Sequence, residues 1–214
     1  MALTIVCPAW EYNTVVDHKK LLSGRTAIIL KWLWTTPLQK SSGIAYDTRV
    51  LHRPYFLGLT PIGFEYYAGH YRGEPFECLR DYRVQIKANS LVGYFPLLVP
   101  MHMDEFKSAI GKIINGIDYI VPVHEKILSR AQKIRRIAEL TAALFNNFLI
   151  IHPYANGNGH IARILATAMF WRYGIVLRRF PISHRPADPP YSELVRKYQS
   201  GDTEPFIVYL INCI

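Results

Sequence analysis

The stretch Ile151-His152-Pro153-Tyr154-Ala155-Asn156-Gly157-Asn158-Gly159-His160-Ile161-Ala162-Arg163 decides how the rest of the chain is read. Upstream of it, Ile134, Ile137, Ala138, Thr141, Leu144, Phe145, Phe148 and Ile151 recur in steps of three or four, which predicts a helix over 129–152. Pro153 disfavours helical geometry in the residue before it, so His152 stands at the end of that helix. A turn rich in Gly and Asn follows, then a second apolar pattern from Ile161 to Tyr173 with Gly174 as a left-handed C-terminal cap. The N–H groups of such a turn, added to the free N–H groups of the next helix's first turn, form a site for an anion. A histidine stands beside it and an arginine lies one turn inside the helix. Those features together point to phosphate chemistry with a general base.

Bulk properties set the frame. The 214 residues are half hydrophobic and 19% charged, which is globular, with room for one main core and a small appended lobe. A net charge of +9 favours acidic partners without naming one. Cys7, Cys78 and Cys213 are far apart and odd in number, with no Cys-x-x-Cys pair. Reduced thiols in a cytoplasmic protein are therefore expected, with neither a disulfide framework nor a thiolate zinc site. The first ten residues lack the pattern of a signal peptide, and no apolar run is long enough for a membrane span, so no membrane partner is expected. His152 and His160 lack a third ligand at helical or hairpin spacing, and no protein metal site is read.

Elsewhere the chain is less explicit. Lys19 to Trp34 is compatible with a helix interrupted at Ser23-Gly24 and stopped by Thr35-Thr36-Pro37; Ser41-Ser42-Gly43 is a loop and Thr60-Pro61-Ile62-Gly63 a turn. Alternation near the end of Cys78–Ile86, a turn at Asn89-Ser90 and Leu91–Phe95 predict a β-hairpin, closed by Pro96 and Pro100. Met103 to Asn115 reads as a short helix, and Tyr191–Tyr198 and Pro205–Ile214 as two closing ones. The aromatic residues before position 70 (Trp32, Trp34, Tyr55, Phe56, Tyr66, Tyr67) read as core rather than a ligand cage. Lys133, Arg135, Arg136 and Arg178-Arg179 read as solvated faces, because no basic-aromatic reader accompanies them, and a nucleic-acid partner is not expected.

The string His152-Pro153-Tyr154-Ala155-Asn156-Gly157-Asn158-Gly159-His160 resembles the Fic (Fic/Doc) family signature, His-Pro-Phe-x-(Asp/Glu)-Gly-Asn-Gly-Arg with a second Arg three residues on. Gly69-His70-Tyr71-Arg72 and the hairpin resemble the family's flap. Val99–Met103 resembles the segment after it, Val121–His152 the helix leading into the motif, and Gly201–Ile207 the closing helix. The resemblance implies a mainly α-helical Fic-type bundle with a β-hairpin flap. Residues 1–68 form an N-terminal lobe of unknown role and 69–214 the Fic-like part. It also implies transfer of a nucleoside monophosphate, AMP from ATP by default, to a hydroxyl of a target protein docked at the flap, about residues 76–95. His152 would be the general base. Gly157, Asn158 and Gly159 would cradle the phosphates, with Asn156 and His160 at the neighbouring motif positions. Arg163 would clamp the terminal phosphate, and Tyr191 would lie near the adenine.

Two positions depart from the signature. Asn156 stands where the family carries the carboxylate that holds Mg²⁺, so either metal binding is weakened or the substrate needs none. His160 replaces an arginine, exchanging a fixed charge and planar fork for a neutral ring with one donor. A catalytically weak or inactive relative that binds a nucleotide or a protein partner, or one that transfers a different phosphate-bearing group, is the alternative. No Ser/Thr-x-x-x-Glu-(Gly/Asn) inhibitory element is present, so an active enzyme would be unregulated in cis or held by a separate regulatory partner.

Overall fold

The structure is a computed structural model that describes residues 6–84, 92–120 and 127–214. Among them are eight α-helices and no strand: α1 His18–Thr35, α2 Leu38–Ser41, α3 Arg49–Phe56, α4 Val99–Ile120, α5 Arg130–Ile151, α6 Asn158–Arg172, α7 Tyr191–Gln199 and α8 Glu204–Asn212. The mainly helical expectation holds, and no helix among these residues is long and apolar enough to cross a membrane.

Helices α5 and α6 are the central pair. Ser129 caps α5 with a reciprocal capping box: its hydroxyl accepts from the Gln132 N–H, and the Gln132 side chain accepts from the Ser129 N–H at 2.8 Å. The α5 stripe turns Ile137, Ala138, Leu144, Phe145, Phe148 and Ile151 into the core. Every residue of α6 from His160 to Phe170 is buried, so that helix needs neighbours on all sides. It receives them from α5, from α2 with the short 3₁₀ turn Ser42–Ala45, and from α1, while α4 and α8 pack on the outside of α5. Gly174, at φ 71°, ends α6 as expected, with the Ile175 N–H bonded back to the Phe170 carbonyl. One continuous cluster contains Trp10, Leu22, Tyr55 and Phe56 together with Phe145, Phe148, Leu165 and Phe206, so residues 6–68 share the core of the motif helices.

Several expectations are corrected. The β-hairpin does not form where it can be followed. Cys78–Asp81 is turn, Tyr82–Val84 and Val92–Phe95 carry no ladder, and the Asn89-Ser90 turn lies outside the described residues. Backbone groups at this base bond inward instead, the Gly93 N–H reaching the Ile150 carbonyl at 2.8 Å. Helix α1 runs unbroken through Ser23-Gly24, because a single helical glycine costs only about 1 kcal/mol and burial of Leu22, Thr26 and Leu33 offsets it. Helix α4 is longer than expected, since Pro100 sits in its first turn where no N–H is needed, and Val99, Met103, Phe106, Ile110, Ile114 and Ile117 give it a buried stripe. Of the aromatic residues expected in the core, Trp32 and Trp34 are exposed.

The expected reduced thiols are corrected as well. Cys7 and Cys78, 71 residues apart in sequence, form a disulfide that ties the N-terminal segment to the loop after Arg72, and Cys213 is free and buried. Three-dimensional proximity at that separation leaves no mark in sequence spacing. Closing such a loop removes chain entropy worth about 2–4 kcal/mol. Denatured, unreduced protein is expected to titrate one thiol per chain rather than three. Reduction should lower the urea unfolding free energy by about that 2–4 kcal/mol.

Candidate active site

The turn between α5 and α6 begins with a residue in an unusual conformation. His152 closes α5 in the left-handed region, φ 52° and ψ 60°, with its N–H still bonded to the Phe148 carbonyl at 3.0 Å. Arg72, wholly buried, lies beside it and gives every bond to a carbonyl. Its Nε donates to His152 at 2.8 Å, Nη2 to Ile151 and Tyr94 at 3.2 Å each, and Nη1 to Tyr82 at 3.1 Å. The Arg72 N–H adds a bond to the Pro153 carbonyl.

The His152 ring is half-buried. Its Nδ1 lies 3.3 Å from the Leu149 carbonyl, which can only accept, so Nδ1 carries the proton and Nε2 keeps its lone pair. Burial, and then the Arg72 charge, push its pKa down to about 4 against the opposing Leu149 bond. The ring is therefore neutral at ordinary pH, with one nitrogen ready to accept.

Beyond it the turn is locked by short polar contacts. Asn158 clasps Tyr154 twice: its Oδ1 accepts from the Tyr154 N–H at 2.9 Å and its Nδ2 donates to the Tyr154 carbonyl at 2.8 Å. Its amide is thus spent on the turn, and what it leaves pointing outward is backbone. The N–H groups of Asn158 and Gly159 have no acceptor among the described residues. Tyr154 is buried where the signature has Phe; its extra hydroxyl is satisfied by Thr48 at 2.6 Å, and its ring stacks on His52 at 3.6 Å. Gly157 stands at φ 83°, and a Cβ there would meet the Phe56 ring at 2.3 Å.

The two departures face the N-terminal segment. Asn156 donates from Nδ2 to the Trp10 carbonyl at 2.6 Å, and its Oδ1 accepts from the Gly157 N–H at 2.7 Å. The same residue's carbonyl accepts from His52, whose other nitrogen accepts from the Gly69 N–H, so His52 is the neutral Nε2–H tautomer. An amide with both ends already bonded does not fit Mg²⁺, which prefers carboxylate and phosphate oxygens. No cluster of three metal-binding side chains occurs among the described residues. His160 is buried, its Nε2 3.1 Å from the Tyr12 hydroxyl and its Nδ1 near the Ile182 carbonyl, Arg163 and Tyr55. Burial first, then the Arg163 charge, lower its pKa to about 3, and burial likewise lowers that of His52 to about 3.

Arg163 is the one cation inside this wall. It bonds to the Ile182 carbonyl and to His160, and no carboxylate among the described residues pairs with it. Its Nη1 has no acceptor there and lies over Gly159, 3.3 Å from where a Cβ would stand. The buried Tyr191 hydroxyl makes no full-geometry hydrogen bond among the described residues, but it lies close enough to Arg163 for that guanidinium's charge and a loose hydrogen-bonding contact to oppose the upward push of burial on its pKa. The structure thus brings Asn156, Gly157, Asn158, Gly159, His160 and Arg163 onto one turn, His152 at its start and Tyr191 against Arg163. Two open cavities lie elsewhere. One of about 540 Å³ between α1 and α3 includes Ile28, Trp32 and Pro54; the other, of about 330 Å³, is lined by Gly73, Phe76, Arg80 and Leu97.

Residues 65–170 match the Fic/DOC family, and the match includes the whole turn. The chain belongs to the Fic/DOC family. It is similar to the "Protein adenylyltransferase Fic" of Nematostella vectensis, 26% identical over 204 residues, which is 94% of this chain and 39% of that protein. The chain therefore spans about two fifths of the length of that curated relative. Its fold is that of a crystal structure of a Fic domain containing signaling protein from Bacteroides thetaiotaomicron. That likeness has a TM-score of 0.59 at 20% identity, over 92% of this chain and 68% of that one.

What sequence reading missed in this Fic site is its outer layer. Trp10, Tyr12, His52, Tyr55 and Phe56 all come from the N-terminal segment, which carries no motif, and in sequence Arg72 stands out only within the Gly69–Arg72 string that resembles the flap. None sits at a fixed spacing from the motif, so only three-dimensional packing shows their role. Gly157→Ala should destabilise by about 2–5 kcal/mol in denaturant unfolding, from left-handed strain plus overpacking on Phe56. Acid should act through His52, His152 and His160. All three stay neutral when folded, and the unfolded chain takes up protons near pH 6.5. Stability is thus full above that value and lost as pH falls toward the folded values, by about 1.4 kcal/mol per pH unit for each ring. Denaturation at pH 7, 5.5 and 4.5 should show this, with a shallower slope for His52→Gln.

Proposed function

We propose that this chain transfers a nucleoside monophosphate, AMP from ATP by default, to a hydroxyl side chain of a target protein. One observation carries the reading: among the described residues, a neutral imidazole whose Nε2 has no hydrogen-bond partner opens a turn with unpaired backbone N–H groups and a buried guanidinium that no carboxylate pairs. In the proposed reaction His152 Nε2 takes the proton of the target hydroxyl. The oxygen attacks the α-phosphorus, and pyrophosphate leaves with the electron pair of the broken P–O bond. The N–H groups of Asn158 and Gly159 and the Arg163 fork meet the phosphate charge, an anion on a helix N-terminus beside a fixed cation. No step is assigned to Mg²⁺, because Asn156 is bonded at both ends. The cavity beside Phe76 and Leu97 sits where a target segment would dock next to the flap base. A Cys7–Cys78 bridge fits an oxidising compartment better than the reducing cytoplasm.

A second reading, a nucleotide- or partner-binding module without transfer, is favoured by the covering of Asn156 and His160 by Trp10 and Tyr12. One assay separates the two. The protein is incubated with labelled ATP, CTP, GTP or UTP, with and without divalent metal, and label is sought on the chain and on added proteins. Transfer is expected, to persist in EDTA, and to fall about 10²- to 10⁴-fold in His152→Ala. The rate should stay level from pH 8 down to pH 5, since His152 titrates below that range. Binding without transfer would establish the module instead. Restoring the signature with Asn156→Asp is expected to destabilise, because a carboxylate would face the Trp10 carbonyl where an amide now donates, at a cost of about 1–3 kcal/mol in unfolding free energy.

A further inference from the structure

We infer that Arg72 is the positioning residue for His152, holding the left-handed end of α5 in place by bonding four carbonyls at once. The inference rests on the proposed role of His152 and concerns a residue 80 positions away in sequence. Three observations carry it. First, Arg72 is wholly buried and no carboxylate among the described residues pairs with it, so its charge is met only by carbonyl dipoles. Two of those, Ile151 and His152, are the unsatisfied carbonyls at the negative end of α5. Second, the other two acceptors, Tyr82 and Tyr94, lie on the two sides of the flap base. One guanidinium therefore fixes α5, the turn and both flap flanks to a single point. Third, the His152 backbone conformation is one that a non-glycine residue keeps only when its surroundings over-determine it. The Arg72 N–H to Pro153 and side chain to His152 supply that constraint directly.

The same placement has an electrostatic consequence. Among the described residues, Arg72 is the one charged group acting on the His152 ring; the other influences are burial and the Leu149 carbonyl. Its charge opposes protonation of the imidazole. Lysine cannot reproduce this geometry, because an ammonium offers three donors from one point where guanidinium offers five across a plane.

The test reads the ring itself. Long-range ¹H–¹⁵N spectra of the full chain, with the His152 signals assigned by comparison with His152→Asn, report its tautomer and its titration. The parent should show the Nδ1–H form and titrate well below the ordinary 6.5. Arg72→Met should move the titration toward that ordinary value and mix the tautomers. Arg72→Lys, which keeps the charge, should keep the low titration but lose the single tautomer. In the transfer assay it should lower kcat about 10²-fold with little change in the nucleotide KM, the signature of a displaced base rather than lost binding. Far-ultraviolet circular dichroism confirms that each variant is folded. If Arg72→Met does not fold, Arg72→Lys decides. A folded Lys variant with the parent's tautomer and kcat overturns the inference. A parent ring that titrates near 6.5 overturns it whatever the variants do. Should the parent transfer no nucleotide, the ring spectra still test Arg72, so the two readings fail separately.

Discussion

The turn between α5 and α6 exists because two left-handed residues, His152 at φ 52° and Gly157 at φ 83°, are held from outside it. Neither conformation is sustained by the turn alone. At Gly157 the absence of a side chain lets the Phe56 ring approach to contact. At His152 the constraint is polar, through carbonyls bonded to Arg72. Between them, Asn158 closes a ring of two hydrogen bonds on Tyr154, and the N–H groups of Asn158 and Gly159 have no acceptor among the described residues. Unpaired N–H groups at a helix N-terminus, the kind of feature that suits an anion, are thus left once the turn's side chains are bonded to one another.

Two buried arginines flank this turn, and their difference is instructive. Burying a guanidinium is costly unless its donors are met. Arg72 spends its Nε and both Nη groups on carbonyls, which suits a fixed structural joint. Among the described residues Arg163 bonds to Ile182 and His160, contacts the Tyr191 hydroxyl loosely, and keeps Nη1 over Gly159 without a full-geometry acceptor. A cation left partly unsatisfied beside unpaired N–H groups is the arrangement expected where charge arrives with a ligand. The histidines follow the same rule from the other side: His52, His152 and His160 are all pushed toward neutrality by burial, so the wall adds no second positive charge beside Arg163.

The central helices and the turn were legible in the sequence because their signals are local. The α5 stripe has helical period, Pro153 and Gly174 stop two helices, and the motif is contiguous. Boundaries moved only by a few residues, as where α6 begins at Asn158 instead of Ile161. What stayed hidden depends on distant pairs. The Cys7–Cys78 bridge, the Trp10 carbonyl on Asn156, and His52 between Gly69 and Asn156 each join positions whose separation carries no pattern. The hairpin was misread for the opposite reason. Alternation near Val84 is a local signal, yet flap-base carbonyls accept from Arg72 and the Gly93 N–H donates to α5, and those tertiary partners replace a ladder.

The departures at Asn156 and His160 look independent in sequence, four residues apart on a loop and a helix. In the fold they are one feature, because two residues of the same N-terminal segment, Trp10 through its carbonyl and Tyr12 through its hydroxyl, meet them both. Trp10 is itself fixed in the core by its indole bond to Leu59 and its edge contacts with His52 and Phe56. An acidic side chain at 156 would repel that carbonyl, and an arginine at 160 would need the room that Tyr12 and Tyr55 fill. The motif and the segment that covers it therefore have to change together. Substitutions at 156 and 160 share partners closely enough that their effects will not add. A donor at 156 and a small neutral ring at 160 suit the Trp10 carbonyl and the Tyr12 hydroxyl that meet them, so this segment gives the two departures a common physical reason.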